Sequence, residues 1–322
     1  GTLAMVITDA IQGMFCFPLI VIFIFFILYN FSWQNEIVPV MMDRAQGESF
    51  INPYDVSKLR DFNIFFVVVM IFNSVFHRAS WIGAGLSSAA KNPHEQKMAS
   101  ILGAWRGQIS IILYVLIALT IITLLNQRNF APQAKEIRDN MSAHISRELI
   151  SDPAQREALI ATVKAVPAQV HQIGVDPPLS HKHNLDTPVL DAAHKKLIEL
   201  QGDVQGNSKF QQFRTLFHQE MLASSMRKLL PSGLLGLFML LMVLAMISTD
   251  NTRIYSAAVT ISQDVILPFR KTPFTLKQHV WVLRLVSIGI GVVFVIGSTF
   301  MAQLDYIQLF VMIMVSMWLG GC

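Results

Sequence analysis

The chain has 322 residues, of which 53% are hydrophobic and only 14% are charged. Soluble domains usually carry about 25% charged residues, so this composition excludes an ordinary soluble protein and favours a membrane protein. The net charge is +4 and the isoelectric point is about 9.1. No cluster of Lys and Arg is interleaved with stacking aromatic residues, so we expect no nucleic-acid partner.

Six apolar segments are long enough, or nearly so, to cross about 30 Å of hydrocarbon as helices. They predict membrane spans at residues 10–33, 62–87, 102–126, 231–256, 280–303 and 306–322. Barrel strands would show weaker segments of alternating polarity, so we predict an all-α polytopic protein of the lipid bilayer. We expect it in the plasma (inner) membrane. The first segment lacks a basic leader and a cleavage site, and we expect an interior piece of a longer protein rather than a signal peptide.

The predicted spans form two groups on either side of a polar segment. Membrane helices occupy residues 1–126 and 229–322, and residues 127–228 are rich in charges of both signs. Apolar periodicity inside that segment predicts short amphipathic helices, for example at residues 132–150, 153–163 and 188–200. We call residues 127–228 the insert.

The charges of the short loops predict the orientation of the spans. Residues 91–106 and 267–284 carry an excess of Lys and Arg, which is typical of cytoplasmic loops. Residues 35–61 carry five acidic residues against three basic ones, so we expect them outside. The first span then runs outward, the fourth runs inward, and the insert is extracytoplasmic.

A polar cluster ends the apolar run that begins near Leu234. It comprises Ser248, Thr249, Asp250, Asn251 and Thr252. Ser and Thr in membrane helices often bond only to the carbonyl one turn back or to a neighbouring helix. That interpretation weakens when a carboxylate and an amide follow at once, because polar groups at this depth often line an ion path.

The backbone carbonyl of Ala245 falls on the same helical face as Ser248 and Thr249. These three groups offer oxygen ligands, which small hard cations prefer. At the cytoplasmic start of the first span, Asp9 offers a further carboxylate. Asp9 is also explained as a helix cap that complements the helix dipole, and this does not exclude binding a cation.

The second span carries an unusual pair of basic residues, His77-Arg78. Arg78 either extends to the inner interface or faces a cavity that holds an anionic solute. The substrate candidates are therefore Asn73, Arg78, Trp81 and Arg106. His181 and His183 lie in the insert, where we expect a solvated loop rather than a zinc site. No serine-hydrolase, zinc-protease or phosphate-loop motif is present in the sequence, so we predict no enzyme activity.

Three motifs together resemble the sodium:solute symporter family, which includes sodium-coupled sugar, proline and sialic acid carriers. The first, Thr8-Asp9-Ala10-Ile11-Gln12, is similar to the family's Thr-Asp-x-x-Gln helix start. The second, Ala89-Ala90-Lys91, is similar to its cytoplasmic Ala-Ala-Lys loop. The third is Pro-x-Gly-Leu-x-Gly-Leu from Pro231, followed by Ala245-x-x-Ser-Thr and Gln263-Asp264.

The resemblance implies a fold and two ion sites. The fold is the leucine-transporter-type inverted repeat, of which this chain would hold the fifth core helix and most of the second repeat, with the insert added. One sodium site would use Ala245, Ser248 and Thr249 together with carbonyls of the first core helix, outside this chain. A second, found in some members, would use Asp9, Ser248 and Thr252, although Asn251 stands where a hydroxyl is usual.

We therefore expect part of a sodium-coupled symporter that moves a small-molecule solute by alternating access. The alternative is a sensor or receptor: a transporter-like membrane core whose insert binds a ligand outside the membrane. A signalling module in the sequence beyond residue 322 would favour the sensor.

Overall fold

The computed structural model describes residues 2–49, 55, 68–72, 90–180 and 183–301. Of residues 2–5, 249, 300 and 301 it describes the backbone alone. The predicted span at residues 306–322 and most of the one at residues 62–87 lie outside the described residues.

The regular structure of the described residues is helical, apart from an isolated bridge between Arg44 and Leu179. Short π-helices occur at Trp33–Ile37 and Ile261–Ile266, and 3-10 turns at Arg128–Phe130 and Leu267–Phe269. The α-helices are α1 Thr2–Asn30, α2 Val38–Met42, α3 Pro93–Asn126, α4 Ala131–Leu149, α5 Pro153–Lys164, α6 Thr187–Leu229, α7 Ser232–Thr260 and α8 Leu276–Met301.

In the described part of the chain, four helical segments are long and apolar enough to cross a membrane. They are Val6–Asn30, Pro93–Asn126, Ser232–Phe269 and Leu276–Thr299. On α8 the large side chains Trp281, Leu285, Ile288 and Val292 follow one another at helical spacing, and each is more than half exposed. An apolar stripe of this kind is costly in water and is satisfied by lipid. The chain is an all-α membrane protein.

The chain divides into two compact units, the first built from three separate stretches and the second from two. The first unit comprises Gly1–Phe23, Phe65–Ile112 and Gly236–Cys322, and the second comprises Ile24–Ile64 and Leu113–Leu235. The second unit contains the insert and extends beyond it, because it also includes the ends of α1 and α3 and the residues that follow α1.

The second unit has a hydrophobic core formed by α4, α5 and α6. α4 packs against both other helices and presents Met141 and Ile145, one turn apart and almost fully buried. α6 supplies Phe213 and Phe217, and α5 supplies Leu159, all with no exposed surface. Each such side chain stabilises the fold by about 1.5–3 kcal/mol relative to its exposed state. The packing of this core determines which residues of α4 and α6 lie at the solvent-exposed edges of their interface, here called the rims.

A buried polar cluster joins the segment after α2 to the insert. The imidazole of His171 contacts the Asp43 carboxylate through Nε2, and its Nδ1 lies 3.8 Å from Oδ2 of Asp176. The backbone N–H of Ala45 donates to the carbonyl of Leu179 over 2.8 Å. The loop at residues 35–61 and the insert, both expected outside, therefore contact each other.

A buried ion pair ties the end of α3 to α4 and α6. Nε of Arg138 lies 2.7 Å from Oδ1 of Asp186, and its guanidinium also donates to the carbonyl of Leu125 over 3.0 Å. Burial lowers the pKa of Arg44 in the same unit, and nearby carboxylates including Asp186 oppose that shift. Because a buried charge without its partner is costly, these contacts specify how the segments dock.

α6 reverses direction at Gly202, whose φ of 76° lies in the left-handed region that favours glycine. After the reversal, the ring of His194 stacks on Phe210 with centroids 4.1 Å apart. Gly206 lies close to the backbone of Ile198. A Cβ atom on residue 206 would lie 2.7 Å from the Cα of Ile198. The predicted helix at residues 188–200 is thus the first arm of a helical hairpin whose second arm ends at Leu229.

Gly206→Ala tests this hairpin. We expect the substitution to destabilise the protein by about 1–3 kcal/mol, because the added methyl group collides with backbone that cannot move aside. Thermal unfolding of the protein in detergent measures the effect. The matched control is Gly233→Ala, where a Cβ meets no atom of the described residues within 4 Å. Equal melting temperatures for the two variants would contradict the close approach of the two arms.

Candidate functional site

Two membrane helices of the first unit, α1 and α7, run antiparallel. The rings of Phe23 and Phe238 meet edge to face with centroids 5.5 Å apart, and Asp9 meets Ser248. Residue numbers therefore rise along α1 while they fall along α7. This direction agrees with the orientation expected from the loop charges, in which the first span runs outward and the fourth runs inward.

The centre of the site is a hydrogen bond between these helices. The Ser248 hydroxyl donates to Oδ1 of Asp9 over 3.0 Å, between residues 239 positions apart in the chain. Both side chains are half-buried. A carboxylate and a hydroxyl are thus held together between two largely apolar helices.

Asp9 has no cationic side-chain partner among the described residues; the Ser248 hydroxyl is its one polar contact there. Even partial burial of an ionised carboxylate beside apolar helices is unfavourable unless hydrogen bonds or a counter-charge compensate it. One hydrogen bond from a neutral hydroxyl supplies part of that compensation. The arrangement favours a bound cation as the remaining partner.

Thr252 adds a second hydroxyl one turn beyond Ser248. Its Oγ1 donates to the Ser248 carbonyl over 3.1 Å, which is the ordinary bond of a threonine within a helix. The bond occupies the Thr252 proton and leaves the lone pairs of the oxygen available to a cation. Ala245 lies one turn before Ser248 on α7, and the backbone of Thr249 continues the helix.

Asp250 and Asn251, the two residues that depart from the family pattern, have exposed side chains. Ser248 and Thr252, one helical turn apart, are both half-buried and share the face that meets Asp9. The site is therefore narrower than the polar cluster in the sequence. It comprises Asp9, Ser248 and Thr252, the residues predicted for the second sodium site.

Gln12 is a candidate ligand that the sequence reasoning did not single out. It lies three residues after Asp9 on α1, and its Oε1 is buried without a hydrogen-bond partner in the described part of the chain. Residues three apart on a helix share a face. An unpaired buried carbonyl oxygen calls for an explanation, and a cation beside Asp9 supplies one. Its position in Thr-Asp-x-x-Gln was the signal that could have identified it.

The geometry suits a small cation with oxygen ligands. Ca²⁺, an ion of nearly the same radius as Na⁺, takes oxygen ligands at about 2.3–2.6 Å, which separates adjacent ligands by about 3.4 Å. The 3.0 Å between the oxygens of Asp9 and Ser248 therefore needs only a slight opening to admit an ion. Among the described residues the site carries a single carboxylate, that of Asp9. Its one negative charge balances a monovalent cation better than a divalent one.

The substrate candidates are not gathered at this site. Asn73, Arg78 and Trp81 lie outside the described residues. Arg106 is exposed on α3, and its guanidinium carbon stands 5.2 Å from the centroid of the Phe17 ring, a cation–π contact. An open groove of about 650 Å³ runs along α3 beside it, lined by Lys97, Ser100, Ile101, Ala104, Trp105 and Gln108.

Comparison with known proteins assigns the chain to no family. No protein-family model, no curated protein and no solved structure matches the chain. The class of the protein, an all-α membrane protein with a polar contact between two apolar helices, rests on its own residues.

Gln12→Leu tests whether the unpaired oxygen belongs to the site. Removing one oxygen ligand should weaken Na⁺ binding about tenfold, which corresponds to about 1.4 kcal/mol. Binding is measured with radioactive sodium on the purified protein. The control is Gln108→Leu, the same change at an exposed position on α3, which should leave the affinity unaltered. Equal affinities for the two variants would remove Gln12 from the site.

Proposed function

We propose that the protein is a sodium-coupled solute symporter that works by alternating access. The observation that carries this proposal is the hydrogen bond between Asp9 and Ser248. It joins two antiparallel apolar helices through a carboxylate that has no cationic partner among the described residues. In a membrane, such a group marks an ion path more often than a structural contact.

The proposed ion is sodium rather than a proton or a divalent metal. A proton on Asp9 would satisfy at most one acceptor, whereas a bound ion would contact the Asp9 carboxylate, both hydroxyls and the buried oxygen of Gln12 together. A divalent ion would leave one positive charge uncompensated by the single carboxylate. Sodium matches both the charge and the set of carboxylate, hydroxyl and amide oxygens.

The mechanism follows from the position of the site between α1 and α7. An ion that binds Asp9, Ser248 and Thr252 together stabilises the conformation in which the two helices are in contact. Opening toward the cytoplasm separates these ligands and lowers the affinity for sodium. A ligand shifts a conformational equilibrium only by its difference in affinity for the two states, and these ligands provide that difference.

The membrane supplies the driving force. Moving one sodium ion inward contributes about 2.3 kcal/mol for each 100 mV of membrane potential, in addition to the concentration gradient. That energy is sufficient to concentrate a neutral solute when the two movements are coupled. The substrate class stays open, and Asn73, Arg78, Trp81 and Arg106 remain its candidate contacts.

Two further parts of the proposal rest on the family resemblance. The first is a leucine-transporter-type inverted repeat in the plasma membrane, with the insert outside. The packing of residues 43–45 against the insert supports one common side for both segments. The second part is another sodium site at Ala245, Ser248 and Thr249, whose remaining ligands would come from a helix outside this chain.

Sodium-driven uptake tests the function. The full-length protein in liposomes, supplied with pooled radiolabelled neutral and anionic solutes, should accumulate solute under an inward sodium gradient and not under a potassium gradient. Ser248→Ala combined with Thr249→Ala should reduce uptake at least tenfold, because both proposed sodium sites lose hydroxyl ligands.

The matched control is Ser298→Ala combined with Thr299→Ala. These residues form the same adjacent pair on α8. Both side chains are exposed, and among the described residues their one hydrogen-bond partner is the carbonyl of Val295. Uptake that is independent of sodium, or absent for every solute while a solute still binds, would contradict the symporter and favour the sensor.

A further inference from the structure

The rims of α4 and α6 in the second unit bring three metal-ligating side chains together. His144 precedes the buried Ile145 on α4, and Glu220 lies three residues after the buried Phe217 on α6. The packing of these two helices therefore fixes the relative position of His144 and Glu220. Glu148 follows one turn after His144 and shares its face.

The ligand atoms of these residues converge on one point. Nδ1 of His144 lies 2.8 Å from Oε1 of Glu220. The nearest ligand atoms of His144, Glu148 and Glu220 all lie within 4.8 Å of one another. His144 and Glu148 are exposed, so an ion has direct access to the cluster from solvent.

Charge also favours a cation at this point. Two carboxylates converge here, and in the described part of the chain neither Glu148 nor Glu220 forms an ion pair with Lys or Arg. Like charges this close disfavour each other unless a positive charge lies between them. His144 offers a hydrogen bond to Glu220 but leaves the Glu148 carboxylate without a polar partner among the described residues.

The donor set selects the class of metal. One imidazole nitrogen and two carboxylate oxygens suit Zn²⁺, whereas Ca²⁺ and Mg²⁺ prefer oxygen alone. Tetrahedral Zn²⁺ with ligands at about 2.0–2.1 Å places them about 3.3 Å apart. An ordinary rotation of the exposed Glu148 side chain reduces the present separations of up to 4.8 Å to this value. Water completes the fourth position.

We infer that His144, Glu148 and Glu220 form a Zn²⁺-binding site that clamps α4 to α6. The zinc site lies in the second unit, whereas Asp9 and Ser248 lie in the first. It does not depend on the proposed transport. Because the folded arrangement alone brings the three ligands together, a bound ion stabilises this unit.

Zinc titration of the full chain tests the site. The purified protein in detergent, stripped with a chelator, is titrated with ZnCl₂ alone in a calorimeter. We expect saturable binding of one equivalent, weakened at least tenfold by His144→Ala and by Glu220→Gln. Co²⁺ at the same site should give the strong visible absorption of tetrahedral coordination, which the two variants lose.

Two further variants keep the test decisive. Glu148→Gln removes a ligand that is exposed and makes no hydrogen bond to a described residue, so it should fold even if the other variants do not. His194→Ala removes a histidine of the same unit that bonds to Asn207 rather than to a carboxylate, and it should leave binding unchanged. Absence of saturable zinc binding in the wild type, displacement by equimolar Mg²⁺ or Ca²⁺, or equal weakening by His194→Ala would overturn the site.

Discussion

The first unit depends on one constraint: the Asp9 carboxylate must be compensated between two apolar helices. The Ser248 hydroxyl lies 3.0 Å away and supplies a neutral donor, which offsets part of the cost of burying the charge. Because no described cationic side chain completes the compensation, a bound cation is the remaining partner that we propose. The antiparallel packing of α1 and α7, which the Phe23–Phe238 contact extends, keeps the two groups together. The proposed coupling follows from this one contact.

The second unit is stabilised by a different kind of interaction. Its core of Met141, Ile145, Phe213 and Phe217 is apolar and almost fully buried, and buried polar contacts of Arg138 and His171 lie in the same unit. The reversal at Gly202 turns one long helical segment into a hairpin. Such a core holds rim residues at fixed separations, which is what a zinc site requires. The proposed sodium site instead needs helices that can separate.

The sequence predicts the helices far better than it predicts their contacts. Apolar length alone indicates α1, α3, α7 and α8, because a membrane requires long apolar helices. The pairing of Asp9 with Ser248 was expected only through the family resemblance, since positions so far apart carry no local signal of contact. The buried oxygen of Gln12 and the hairpin at Gly202 were not predicted as such. Both features depend on tertiary packing, which decides whether the amide oxygen is buried and how closely the two arms of the hairpin approach.

The most direct test of the account is a double-mutant cycle on Asp9 and Ser248. Sodium affinity of the purified protein is measured for the wild type, Asp9→Asn, Ser248→Ala and the double variant. If both residues bind the same ion, the account predicts that the double variant is hardly weaker than Asp9→Asn alone, with a coupling of about 1 kcal/mol or more. Additive losses, or sodium affinity that neither substitution changes, would contradict a shared sodium site between α1 and α7.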